Sequence, residues 1–336
     1  MNYKKIFFLF LLCFSFMSNI LSMGKREKPV GKRSQPIEID LKEDFLARSF
    51  DKGLDKFCES LEQFVWDHFS YYDFSDSNDK ILAKERSIIF FLLGFFSGLD
   101  ERKYVISVEN NNILIKKDGE IILGLIIKGT DNNVEDIEKL QSFCNIDMSL
   151  GYKQIAIVCS GKKIKCNNFG PILSNGIESN DFKLFESPEE VVAFFKNNNW
   201  FERFKEQISF ELEKDFHTFI LGLLANTKKI SDLRSNNENA NGRPDISIKT
   251  IEIQQFGLLK IQILFNKYIF ELKIANNYNL KEKITEAKAQ IIKRGYGTGS
   301  TSLGFARSTY VYPYALVLNI DDFKVHAFKF EKFKLD

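Results

Sequence analysis

Glu271 and Lys273 stand two residues apart in the apolar run Tyr-Ile-Phe-Glu-Leu-Lys-Ile-Ala at 268–275. Side chains alternate between the faces of a strand, so these two share a face with Ile269 and Ala275, while Tyr268, Phe270, Leu272 and Ile274 point the other way. Charges inside an apolar strand are costly to desolvate unless partners or a metal compensate. An isolated pair of this kind also suits an edge strand whose polar face meets water. Asp245 shifts the balance. It follows Gly242-Arg243-Pro244 at the start of another strand-like run, and a neighbouring strand brings its carboxylate toward Glu271. Two converging carboxylates repel, and a divalent, oxygen-loving cation such as Mg²⁺ or Mn²⁺ relieves this. Lys273 beside them could polarise or orient a water for attack at phosphorus, with the metal neutralising charge on the phosphate oxygens. Asp245 and Glu271 are thus candidate metal ligands, and Asp245, Glu271 and Lys273 candidate catalytic residues.

The elements that must position these groups follow from hydrophobic spacing. Ile208, Leu212, Phe216, Phe219, Ile220 and Leu223 fall on one stripe and predict a helix over 204–225. A short strand at 230–234, an Asn-rich turn at 236–242 and strand-like runs at 245–253, 258–264 and 268–275 come next. A helix over 280–293 ends at Gly295-Tyr296, and a strand at 315–320 closes the unit. The residues between 40 and 161 repeat this order. Helices are expected near 40–65 and 84–97, strands at 104–108, 113–115 and 121–127, a helix at 133–144 and a strand at 155–158. Asp118-Gly119 marks a hairpin between the second and third strands.

The ordered set resembles the PD-(D/E)XK nuclease superfamily, with Pro244-Asp245 followed by Glu271-Leu272-Lys273. More narrowly it is similar to a bacterial family often found behind an AAA-ATPase-like domain. The shared features are the helix end 219–224, Gly242-Arg243-Pro244-Asp245-Ile246, Phe270-Glu271-Leu272-Lys273, and Glu286-Ala287 through Gln290 to Gly295-Tyr296. The resemblance covers most of 204–296 and, more weakly, 57–161. It implies that Glu213, on the first core helix, supports the metal, and that Gln290 faces substrate or Lys273. Three departures stand out. No phosphate-binding glycine loop precedes this part, the Asp245–Glu271 stretch carries an extra hairpin around Gln255-Phe256-Gly257, and 297–308 adds a Gly/Ser/Thr-rich loop containing Arg307.

The two halves also match residue for residue in places. Phe91-Leu92-Leu93-Gly94-Phe95-Phe96 aligns with Phe219-Ile220-Leu221-Gly222-Leu223-Leu224, which sets Glu85 against Glu213, Lys128 against Lys273 and Gly151-Tyr152 against Gly295-Tyr296. These spacings, about 130 to 145 residues, read as an internal duplication. Ile126 takes the place of Glu271, and Asn112 or Ile113 that of Asp245. The first copy therefore has no pair of carboxylates to hold a metal and reads as degenerate, structural or nucleic-acid-docking. The expected fold is α/β: tandem restriction-endonuclease-like α-β-β-β-α-β cores with mixed central sheets flanked by helices, at 41–170 and 200–336.

The N-terminus is different in kind. Lys4 and Lys5 precede an apolar run at 6–17, shorter than the ~20 residues of a membrane span. Residues 1–22 fit a secretory signal peptide, with a retained membrane anchor as the alternative, and 23–40 a basic flexible linker. The expectation is a chain exported to the periplasm or beyond, with no membrane attachment once mature. Cys58, Cys144, Cys159 and Cys166 form no CxxC pair, and His68, His217 and His326 lie far apart, which argues against zinc. A formal charge of +2 gives no bulk basic field, so a DNA or RNA partner must be held by a local patch. Two readings follow: a metal-dependent nuclease, or a catalytically inactive nuclease-fold module that binds a nucleic acid or a host protein.

Overall fold

A computed structural model describes residues 46–74, 80–131, 144–147, 149–170, 176–197, 204, 207–228, 230–236, 244–256, 260–294 and 309–335. The expected signal peptide and linker, the helix expected at 133–144 except for Cys144, Gly242-Arg243, Gly295-Tyr296 and the loop 297–308 with Arg307 lie outside them. A 3-10 segment, Leu46–Lys52, stops at Gly53, whose φ of 94° suits a residue without a Cβ. Helices α1 (Leu54–His68) and α2 (Lys80–Phe96) follow. Five strands come next: β1 (Tyr104–Glu109), β2 (Asn112–Lys117), β3 (Glu120–Gly129), β4 (Lys153–Ser160) and β5 (Lys163–Phe169). Asp118 and Gly119 both take positive φ, 52° and 86°, as a two-residue hairpin turn requires.

The second half comprises α3 (Pro188–Asn197), α4 (Glu213–Leu224), β6 (Ile230–Ser235), β7 (Ile246–Phe256), β8 (Lys260–Ala275), α5 (Leu280–Arg294), β9 (Thr309–Asn319), β10 (Lys324–Lys329) and β11 (Phe333–Leu335). Its sheet runs β10-β9-β8-β7-β6 with β11 added to β9; the first runs β1-β2-β3-β4-β5. The pairing pattern is the same in both: antiparallel, antiparallel, parallel, antiparallel. The architecture is α/β with two mixed sheets flanked by helices.

The sheets share one apolar core through α2 and α4. A methyl group on Gly94 would overlap the carbonyl of Phe219, and one on Gly222 the carbonyl of Phe91. Each helix thus lends a glycine to the other's backbone, a reciprocity typical of two-fold interfaces. Arg86 of α2 adds a bond from Nη2 to the fully buried Asp215 of α4 at 2.6 Å.

Some elements differ from expectation. The helix expected from 204 begins at Glu213, because the Asp215 carboxylate turns back to accept the N–H groups of Glu211 and Leu212 at 3.2 and 3.0 Å. The runs at 258–264 and 268–275 are one strand, β8, since its register with β7 continues unbroken from Ile246–Phe270 to Phe256–Lys260. The fifth strand of each sheet, and α3, were not anticipated. The cysteines at 58, 144, 159 and 166 are free, buried thiols. No helix among the described residues is long and apolar enough to cross a membrane.

Candidate active site

Strand β8 lies between β7 and β9, so Glu271 and Lys273 are not on an edge; they are 1 % and 5 % exposed. Alternation puts them where the sequence pattern predicts. Tyr268, Phe270 and Leu272 enter the large core, while Ile269, Ala275, Ala315 and Val317 pack with Ala287 and Ile291 of α5 on the opposite face. Small residues opposite the charges, Ala315 beside Glu271 and Val317 beside Lys273, leave that face room for polar groups.

Asp245 immediately precedes β7. Ile246 pairs with Phe270, so the next position sets Asp245 across from Glu271. The extra hairpin does not disturb this, because it lengthens both strands equally. The carboxylate of Asp245 accepts the N–H of Leu272 at 2.6 Å, and the backbone carbonyl of Asp245 accepts the N–H of Asn236 at 2.7 Å. Burial and then the charge of Glu271 push the Asp245 carboxyl well above its ordinary range, with Lys273 and the Leu272 N–H pulling against them. Two carboxylates forced together are the electrostatic signature of a site short of positive charge.

Lys273 supplies part of that charge. Its Nζ lies 3.6 Å from Glu271 Oε1 and donates to Glu213 Oε1 at 2.8 Å. Burial lowers the ammonium's pKa, but Asp245, Glu213 and Glu271 together outweigh burial and hold it above the ordinary lysine value. Glu213, the first residue of α4, is thus tied to the site through Lys273.

Residues 211–323 match the family model of the PD-(D/E)XK nuclease superfamily. No curated protein matches the chain. The matched nuclease-family region contains Glu213, Asp245, Glu271, Lys273 and Gln290 together, and the superfamily is one of nucleases that generally use divalent metals.

The candidate site offers oxygen donors. Among the described residues no three His, Cys, Asp or Glu side chains are grouped to hold a metal by themselves. Two carboxylates, with water and substrate phosphate completing the shell, suit Mg²⁺, which is commonly bound through one or two carboxylates. The raised Asp245 carboxyl fits such a cation, whose charge would relieve the repulsion.

Gln290 does not reach Lys273 by any hydrogen bond among the described residues; its Oε1 is buried there without a partner. Glu286, one turn earlier on α5, was missed as a site group. Its carboxyl is held low by Lys283, which donates at 2.7 Å, and also feels the charge of Lys273. Helical spacing from Gln290 was the available signal.

Another missed group comes from the first half. Asp73, 1 % exposed, accepts the Ser235 hydroxyl at 2.6 and 2.7 Å and Asn236 Nδ2 at 2.9 Å. Asn236 is the residue whose N–H holds the Asp245 carbonyl. His217 Nε2 lies 3.1 Å from the same hydroxyl. The His217 ring is buried and engaged within this network. No local sequence pattern links Asp73 to Asp245.

The equivalent place in the first half is chemically different. Asn112 pairs with Ile126, as Asp245 faces Glu271, so the counterpart of Asp245 is Asn112 and not Ile113. Lys128 is retained, and Glu85 accepts the N–H of Gly129 at 2.8 Å. Burial pushes the nearby Cys144 thiol up to about 11, with Lys128 pulling it down.

Proposed function

We propose that the C-terminal half is a divalent-cation-dependent phosphodiesterase that cuts DNA or RNA, with Asp245 and Glu271 as ligands of Mg²⁺ or Mn²⁺. The observation that carries this reading is the register of β7 on β8, which opposes the two carboxylates and leaves Lys273 beside them on a buried face. Bound there, a hard dication would neutralise the carboxylates and the charge on the phosphate oxygens.

The chain's own groups would do the rest. Lys273, held protonated by its acidic neighbours, is an electrostatic partner and hydrogen-bond donor, not a base. With one proton committed to Glu213, it has two more to orient a water or steady a phosphate oxygen. Glu213 positions Lys273. The unpartnered Gln290 Oε1 is available to accept from that water or from substrate. The first half, without the two carboxylates, serves as a non-catalytic supporting module. The apolar run at 6–17 after Lys4 and Lys5 supports export, where a nuclease spares its producer's nucleic acids.

The test is cleavage of plasmid and single-stranded oligonucleotides with and without Mg²⁺, for wild type, Asp245→Ala and Lys273→Ala. Each substitution is expected to cost about a thousandfold in rate, the scale of losing one pre-set electrostatic group. Circular dichroism should stay native. Mg²⁺ should raise Tm for wild type and not for Asp245→Ala. Equal cleavage by all three proteins removes the catalytic assignment.

A further inference from the structure

The face that holds Asp245 and Glu271 continues away from them along the hairpin. In register, Ser247 faces Ile269 and Lys249 faces Lys267, and all lie on the face of the two carboxylates because side chains two apart share a face. Two lysines directly across an antiparallel pair repel and weaken the hairpin. On the other side of β7, Arg234 faces Ser247 and Asp232 faces Lys249. Asp232 is shared between them, 3.0 Å from Arg234 Nε and 3.5 Å from Lys249 Nζ. One carboxylate therefore pairs with two cations, and Lys267 adds a third across from Lys249. Lys267 is half-buried; burial, then the charge of Lys249, lowers its pKa, and Asp232 only partly compensates. The row has a deficit of negative charge, beside a cluster with an excess.

We propose that Arg234, Lys249 and Lys267 form a phosphate-binding subsite that holds the nucleic-acid strand flanking the bond to be cut. This rests on the reading of Asp245 and Glu271 as a phosphodiesterase site and specifies how it takes its substrate. Four residues of β8 separate Lys267 from Glu271, about 13 Å at ~3.3 Å each. A stacked strand advances ~3.4 Å per nucleotide, so the lysine pair meets a backbone phosphate about four nucleotides from the scissile one. The contact is to backbone and carries no base preference.

The experiment measures binding and cleavage separately. Fluorescence anisotropy without divalent cation compares wild type, Lys249→Gln/Lys267→Gln and the charge control Lys117→Gln, with labelled DNA and RNA strands of about 20 nucleotides. The double variant is expected to bind about tenfold more weakly. Its salt slope should be shallower by about 0.7 per lost phosphate contact, while Lys117→Gln behaves as wild type. In cleavage, KM should rise by a similar factor with kcat unchanged, and strands ending within about three nucleotides of the cut should show no difference. Tm of the double variant should equal or exceed that of wild type, since a like-charge pair has been removed. Unchanged affinity and salt slope, or a loss matched by Lys117→Gln, overturns the subsite. So does a fall in Tm, which marks the lysines as structural. A wild type that binds strands through these lysines yet cuts none refutes the phosphodiesterase reading instead, and the two failures are distinct.

Discussion

The two sheets of this protein have the same strand order and the same alternation of parallel and antiparallel pairing, yet only one holds a converging pair of acids. The amine is present in both, as Lys128 and Lys273, and so is a glutamate on the preceding helix, Glu85 and Glu213. The carboxylates are not: Asn112 and Ile126 stand where Asp245 and Glu271 do. In the first half Glu85 holds a backbone N–H of β3; in the second, Glu213 holds the lysine. The glutamate at matching places in the two helices therefore serves architecture in one half and the candidate chemistry in the other. A lysine and a glutamate at the right places do not make a metal site. What the second half adds is the pair of acids, whose mutual repulsion a dication would relieve.

What the halves share is tested by the glycines at their crossing. Gly94→Ala and Gly222→Ala each drive a methyl into a backbone carbonyl of the other helix, where no side chain can rotate away. Each should cost about 3 kcal/mol, the upper range for overpacking, measured by urea unfolding. The two losses should be alike. A large loss at one and tolerance at the other breaks the reciprocal description of the interface.

What one half supplies to the other is tested at Asp73. Asparagine at this position cannot accept all the donors that the carboxylate satisfies, from Ser235 and Asn236 in the second half and the N–H of Ser70 in its own. Asp73→Asn should destabilise by about 2 kcal/mol, the scale for hydrogen bonds to a buried charge. Because Asn236 also holds the Asp245 carbonyl, kcat should fall at a temperature where the variant is fully folded. Unfolding curves and cleavage on the same samples separate the effects. Full activity in the folded variant shows that the first half supports the fold and not the site.

The sequence made the face of Glu271 and Lys273 legible, because Phe270, Leu272 and Tyr268 alternate with them and had to face a core. It made the β2–β3 hairpin legible, since Asp118-Gly119 adopts positive φ at little cost. The start of α4 was hidden: the apolar stripe continues back to Ile208, and only Asp215's own reach to Leu212 sets the end. Asn266 and Lys267 read as a break between two strands, but their polar side chains are accommodated within β8, between β7 and β9. The lysine pair and the Asp73 network were hidden for another reason. Each joins residues far apart in sequence, and pattern reading along a chain carries no register.

The smallest expected effect concerns pH at the seam between the halves. His68 of α1 lies 2.7 Å, through Nδ1, from the carbonyl of Leu233 in β6, and His217 of α4 sits on the Ser235 hydroxyl that Asp73 holds. Burial lowers the pKa of both. For His68 the Leu233 carbonyl and Asp67 pull the other way, and for His217 Asp73 and Glu213 do, without reversing the shift. A histidine with a depressed folded pKa binds a proton more readily when unfolded, so its stabilising contribution is complete above the unfolded value of about 6.5. That contribution is lost as pH falls from there through the lowered folded value. Between pH 6.5 and 5.5 the loss is at most about 1.4 kcal/mol per histidine. Urea unfolding at pH 7.5 and 5.5 should show a drop in wild type that shrinks in His68→Gln/His217→Gln. Both rings bridge the halves while Glu271 and Lys273 lie wholly within one, so acid should weaken the seam before it disturbs the sheet that bears the site. Hydrogen exchange at pH 5.5 should therefore rise at β6 ahead of β8, and simultaneous loss of protection in both strands would mean that the seam does not open on its own.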